Sequence, residues 1–238
     1  AIGYSGLKDK RSVSRQWISI PGMDPDRLPK FSKEKNGFEV LSSALHGNKL
    51  KVGHLRGNKF KINLQLENDV ETELQTVQTV MEILQKQGCP NYYTSQRFGA
   101  EQDNHLQGLK ILQGKKRLHL RSRNSNQFAL SALQSFLFNH ILSRRIETIS
   151  TLMKGDLAML QGRSSCFEVM DTAAEQPRAD DWEISPSGAI FGYKSLLAKH
   201  RAGEIEKSVL ADNAIQLESF RLGHGLSQKG TRRALRFK

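Results

Sequence analysis

Apolar and polar residues alternate along three stretches of the first third of the chain: Gln16 to Ile20, Phe38 to Leu45, and Phe60 to Leu66. In the last, Phe60, Ile62, Leu64 and Leu66 are separated by polar neighbours. Successive side chains of a strand point to opposite faces, so this period of two predicts a sheet with one covered face. Val70, Leu74, Val77, Val80/Met81 and Leu84 then recur at helical spacing until Gly88. That run predicts a helix from Val70 to Gln87 as the cover of the sheet. After Pro90 comes an irregular polar and aromatic segment, NYYTSQRFG, followed by a short helix over Gln102 to Gln113. A longer helix is expected from Asn126 to Ile149, with Ala129, Leu133, Phe136/Leu137 and His140/Ile141 on one face and Asn124 or Ser125 as its cap. Between Met153 and Ile190 the pattern breaks into short strands and turns; a final helix is expected over Gly203 to Leu217, and Arg232 to Lys238 alternates again.

These elements predict an α+β fold. Sheet-like patterning gives way near residue 118 to a mainly helical region, and a second boundary near 231 would return the chain to the first sheet. The middle region then reads as an insertion. The chain opens on AIGYSG, already strand-like and without an initiator Met, and stops inside the alternating RRALRFK. Both ends read as cuts through a longer protein.

Charge changes the picture from fold to partner. Thirty-six Lys and Arg against 24 Asp and Glu leave a net charge of +12 on 238 residues, which calls for a partner of dense negative charge. The 37% hydrophobic content is enough to bury a core, so the chain is not an extended basic tail. Cys89 and Cys166 are far apart and give neither a disulfide framework nor a zinc spacing. The phosphate-loop, dinucleotide, metalloprotease and nucleophile-elbow motifs are missing. The histidines are scattered, and His140 reads as a core residue rather than a ligand. No metal and no organic cofactor is expected. With neither a signal peptide nor an apolar run of about 18 residues, the expectation is a cytoplasmic protein without a membrane partner.

Three segments carry candidate chemistry. In GLKDKRSVSRQW, Asp9 lies between Lys8 and Lys10, with Arg11 and Arg15 nearby. Surrounding cations favour the ionised carboxylate, which suits a nucleophile or a fixed negative charge better than a general acid. An ion-paired surface Asp is the ordinary alternative. In PNYYTSQRFG, Asn91, Gln96 and Arg97 offer hydrogen-bond donors beside the flat faces of Tyr92, Tyr93 and Phe98. Such groups hold an unstacked base or order a phosphate, although a loop packing its aromatics inward has the same composition. In HGNKLKVGHLRGNKFK, Lys49 and Lys51 share one face of a strand, Leu50 and Val52 the other, and Arg56, Lys59 and Lys61 follow. Further cations at 115–123, Arg144/Arg145 and Arg232/Arg233 favour a large polyanion.

GLKDKRSVSRQW resembles the signature of the TruD-type tRNA pseudouridine synthases, in which a strand and turn deliver the catalytic Asp. KVGHLRGNKFKI resembles the family's basic strand pair and PNYYTSQRFG its second active-site motif. FLFN at 136–139, GDLAMLQGR at 155–163, SGAIFG at 187–192 and GTRRALR at 230–236 resemble further landmarks in the same order. The resemblance implies a pseudouridine synthase-like mixed or antiparallel sheet with helices, incomplete here, carrying an inserted, mainly helical TRUD domain. It divides the chain into residues 1–117 of the catalytic domain, 118–230 of the insertion and 231–238 as the return strand. It implies a cofactor-free isomerase that flips a uridine out of tRNA, at position 13 in the family, with Asp9 as nucleophile. Attack at C1′, attack at C6 and a glycal route all stay open. Lys8, Lys10, Arg15, Gln16, Lys49, Lys51, Arg56, Lys59, Asn91, Tyr93, Gln96, Arg97 and Phe98 become the substrate-binding candidates. Asn91 matches the Asn that orients the Asp or the base. Tyr93 stands where a Phe is usual and Thr94 where a Gly is common, and the added hydroxyl needs a partner. The resemblance further implies a monomer when full length, with no protein partner required, and little turnover by this chain alone. The alternative is a non-catalytic RNA-binding fragment that keeps the basic surface.

Overall fold

The computed structural model describes residues 2–9, 12–27, 37–55, 57–67, 69–115 and 123–238. The chain divides into two compact units, residues 1–65 and 66–238.

In the first unit, β1 (Gly3–Tyr4) pairs antiparallel with β2 (Ile18–Ser19), placing Gly3 opposite Ser19 and Tyr4 opposite Ile18. The Ser19 hydroxyl accepts the Leu50 N–H at 3.0 Å, the Gly53 N–H donates to the Ser5 carbonyl at 2.9 Å, and the Ser5 hydroxyl donates to the His54 carbonyl at 3.0 Å. These bonds tie the basic segment to the β1–β2 pair. The strands expected over 38–45 and 60–66 are absent, and Phe60, Ile62 and Leu64 are 71, 76 and 66% exposed. Val52, on the strand face opposite Lys49 and Lys51 by the sequence pattern, is exposed as well. Alternation marks a surface fit for half-burial, and a strand forms from it only when a neighbour supplies ladder bonds and a covering layer. No described residue of this unit supplies that layer.

The second unit opens with α1 (Val70–Gln87), which has the expected span and ends where the Gly88 N–H donates to the Leu84 carbonyl at 2.8 Å. None of its residues is buried, so its apolar stripe is not the packed cover expected. β3 (Cys89–Pro90) follows, then α2 (Asn104–Leu112) and α3 (Arg123–Arg144). The last two helices lie close. A Cβ on Gly108 would collide with the Ala129 carbonyl, so only glycine permits this approach. The chain continues through β4 (Leu157–Leu160), β5 (Cys166–Glu168), α4 (Thr172–Asp180), β6 (Ile184–Ile190) and α5 (His200–Asp212). It closes with β7 (Thr231–Ala234) and β8 (Arg236–Phe237). The main sheet is antiparallel in the order β5-β4-β6-β7, and β8 pairs antiparallel with β3, Cys89 opposite Phe237. This mixture of five α-helices and antiparallel sheets among the described residues is the α+β class expected.

The two long helices differ in burial. α3 buries Ala129, Leu130, Ala132, Leu133, Gln134, Ser135, Leu137, Phe138, Ile141 and Leu142, more than the single face expected, because it runs through the core. Leu133, Leu137, Phe138 and Ile141 pack with Ala189 of β6, Phe191 just after it, Val209 of α5, Phe220 and Leu235. α3 starts at Arg123, so Asn124 and Ser125 lie inside it and do not cap it. α4 was not foreseen. Pro177 within it reads as a helix breaker, yet Asp171 caps the start by accepting the Ala173 and Ala174 N–H groups at 2.9 and 3.2 Å.

Two expected surface cations are structural instead. Arg145 is buried against Asp156 at 2.8 Å, and Arg232 against Glu206 at 2.7 Å. Glu206 also accepts the backbone N–H groups of Ala189 and Ala198, which fixes the end of β6 to the loop before α5. Among the described residues no helix is long and apolar enough to cross a membrane.

Candidate active site

The candidate residues fall in both units. In the first, the turn between β1 and β2 carries Asp9. The Ser12 hydroxyl donates to the Asp9 carbonyl at 2.8 Å, which closes the turn and leaves the side chain exposed. Among the described residues the ion pair of the ordinary alternative is not formed: Lys8 sends its ammonium to Asn58 Oδ1 at 2.8 Å. Among the described residues, none donates a hydrogen bond to the Asp9 carboxylate. No described side chain occupies its oxygens. Arg15, Gln16, Lys49, Lys51 and Lys59 are all exposed, and none forms an ion pair among the described residues. The Lys8–Asn58 and Ser19–Leu50 bonds place the Asp9 turn and the basic segment side by side within this unit. Lys10 and Arg56 lie outside the described residues, as do Arg11 and residues 116–122.

In the second unit, residues 90–99 are held by two remote elements. The Asn91 N–H donates to the Leu235 carbonyl at 2.9 Å, and its Nδ2 donates to the Ala234 carbonyl at 2.9 Å. Arg233 returns the contact, donating through Nε to the Asn91 carbonyl at 3.2 Å and through an Nη to Asn91 Oδ1. Both polar atoms of the Asn91 side chain are thus engaged, with one N–H and one lone pair left over. From α3, the Asn139 carboxamide accepts the Tyr93 N–H at 2.9 Å and donates to the Tyr93 carbonyl at 2.8 Å. That reciprocal pair satisfies a loop backbone much as a strand partner would.

The Tyr93 ring meets Phe138 edge-on with centroids 5.8 Å apart, and its hydroxyl makes no hydrogen bond among the described residues. Two guanidinium groups lie against the same ring, Arg233 at 4.2 Å and Arg97 at 5.5 Å from its centroid. Arg97 donates to the hydroxyls of Ser135 at 3.1 Å and Ser131 at 2.7 Å. Neither arginine forms an ion pair with a described carboxylate. Phe98 turns inward, edge-on to His105 and Phe136, and Gln96 is exposed. His105 and His140 flank Phe136 at 4.2 and 4.3 Å. Burial pushes both imidazoles below their ordinary value, helped at His140 by the positive Arg144. No group of described His, Cys, Asp or Glu side chains could hold a metal ion.

The structure therefore brings Asn91, Tyr93 and Arg97 together, and adds Arg233, Asn139, Ser131 and Ser135. In the sequence Arg233 is one cation of many and Asn139 the end of FLFN. Their partners are 142 and 46 residues away, beyond the reach of local pattern.

The family model described as tRNA pseudouridine synthase D (TruD) matches residues 1–121 and 118–238. A relative in Syntrophotalea carbinolica named tRNA pseudouridine synthase D is 32% identical over 297 residues, an alignment covering 99% of this chain and 73% of the relative. One of the same name in Geobacter metallireducens is 31% identical, with 99% of this chain and 72% of the relative covered. A solved Methanosarcina mazei structure assigned to TruD superimposes over the whole chain and 72% of its own length, with a TM-score of 0.79 and 23% identity, and shows the same fold. A family model covering the full length, together with relatives above 30% identity, establishes descent as well as architecture: this chain belongs to the tRNA pseudouridine synthase D (TruD) family.

Proposed function

We propose that the chain converts uridine to pseudouridine in tRNA, at position 13 in the D arm, with Asp9 as the nucleophile. The observation that carries this reading is the Asp9 carboxylate itself: exposed on a turn, ionisable, and without a bonding partner among the described residues. A carboxylate already committed to an ion pair would have to break it before attacking. The target atoms of a paired uridine are enclosed by the stack, so the nucleotide must swing out, and an aromatic face such as Tyr93 suits a displaced base. The exposed lysines and arginine around Asp9 supply attraction for the phosphate backbone. Detachment, rotation and reattachment of the base need no redox partner, and we assign no cofactor.

The pairing of β8 with β3 supports a catalytic domain interrupted by an insertion, since the last residues return to the segment just before Asn91. On that reading residues 1–117 and 231–238 form the catalytic part and 118–230 the insertion. We further assign the protein to the cytoplasm, where its substrate is, acting as a monomer.

Asp9→Asn in the full-length gene product tests the reading. Pseudouridine formation, followed by release of tritium from C5-labelled uridine, should fall by about a thousandfold or more, as for loss of a covalent nucleophile. Binding of tRNA should persist. Turnover near the parent level would remove Asp9 from the role.

A further inference from the structure

Arg232 and Arg233 are sequence neighbours with opposite fates. Arg232 gives Nε to the Ser187 hydroxyl, one Nη to the Leu196 carbonyl and the other to the Ser187 carbonyl and Glu206, so its charge is paired and four of its five N–H donors are used. Among the described residues Arg233 bonds only to Asn91, through Nε and one Nη. Three of its five N–H donors remain, and no described carboxylate pairs with it. Arg97 is in the same condition, its described hydrogen bonds going to two neutral hydroxyls. Two like charges are thus held against one tyrosine ring, at 4.2 and 5.5 Å from its centroid. An aromatic face offsets part of that charge, and an anion entering beside the ring would relieve the repulsion. The planar fork of a guanidinium matches the paired oxygens of a phosphodiester.

We propose that Arg233 contacts substrate directly, presenting the free edge of its guanidinium, together with Arg97, to a phosphodiester of the RNA strand beside the target nucleotide. Asn91 is then the bracket that aims it. This assignment rests on tRNA being the substrate.

The experiment is equilibrium binding of tRNA to the full-length gene product across a series of salt concentrations, with Arg233→Gln, Arg233→Lys and Arg221→Gln compared. Arg221 is exposed and paired with Glu218, so its loss controls for a mere change in net charge. For one phosphate contact removed, the slope of log affinity against log salt should drop by about 0.7 to 0.9 in Arg233→Gln. Arg221→Gln should keep the parent slope. Arg233→Lys should also keep it, since the charge survives although the double contact to Asn91 does not. A parent slope in Arg233→Gln overturns the proposal, as does an equal loss in Arg221→Gln. Identical losses for Lys and Gln at position 233 overturn it in favour of a bracing role alone. Excess inorganic phosphate is the second probe: displacement of tRNA equally from the parent and from Arg233→Gln would also count against the site. Because the slope needs no turnover, an active Asp9→Asn enzyme would sink the nucleophile assignment while leaving Arg233 untouched.

Discussion

The two compact units put candidate chemistry on very different foundations. Residues 66–238 hold three buried apolar clusters, two buried ion pairs and a four-stranded sheet. The described part of residues 1–65 holds one two-residue strand pair, while Leu7, Val13, Trp17, Leu45 and Phe60 stand largely exposed. In the larger unit the site loop is fixed from behind by Asn139 and Arg233, and its geometry follows from the core. In the smaller, Asp9 depends on a turn closed by a single hydroxyl among the described residues. The positioning of an aromatic and two arginines can thus be secured by packing, whereas the carboxylate proposed as nucleophile is exposed and lightly held among the described residues. Stability should follow this division.

The largest contrast is expected from truncating the core. Phe138→Ala should cost about 3–5 kcal/mol, because its fully buried ring leaves a cavity that the surrounding helices cannot close. Urea denaturation measures it, and a cost below about 1 kcal/mol would deny the core its role. Asp156→Ala leaves Arg145 buried and uncompensated and also strips the Met153 N–H of its acceptor at 2.7 Å, for a loss of about 3–5 kcal/mol. At the other extreme Phe60→Ala, in the first unit, should change stability by no more than about 0.5 kcal/mol. A larger loss would mean that its face is covered in solution.

A smaller effect should come from acid. His105 and His140 have folded-state values lowered mainly by burial; Asp103 opposes the shift at His105, and Asp212 opposes it at His140. The unfolded chain therefore takes up these protons first. Their contribution to stability is complete above about 6.5 and fades as the pH falls through the lower folded-state values. Denaturation midpoints at pH 7 and pH 5 should differ by less in His140→Phe than in the parent. An unchanged difference would separate His140 from the acid response.

Much of the second unit was legible because its periodicities coincide with what packs. α1 has its expected span, α2 and α3 lie within a few residues of theirs, β4 to β6 arise from the short apolar runs, and β7 overlaps the alternating end of the chain. The misreadings have local causes. Pro177 hid α4, and alternation at 38–45 and 60–66 promised strands where the described residues offer no ladder partner. For the candidate site, residue type and order pointed to Asp9, Asn91, Tyr93 and Arg97, of which the structure groups the last three. Which arginines face outward was not legible, since Arg144, Arg145, Arg232 and Arg233 look alike in sequence. Their environments separate them: Arg145 and Arg232 are buried with carboxylates, Arg144 pairs with Asp212, and Arg233 is left to Asn91.

By itself the sequence determined the class of fold and the polyanionic partner, and it named Asp9 as the candidate nucleophile. Each depends on composition, short periods and motif order, which are written along the chain. Only the tertiary structure decided which cations are neutralised and what aims the site loop. Those properties belong to pairs such as Arg233 with Asn91 and Asn139 with Tyr93, brought together across 142 and 46 residues by the packing of α3 and the return of β7.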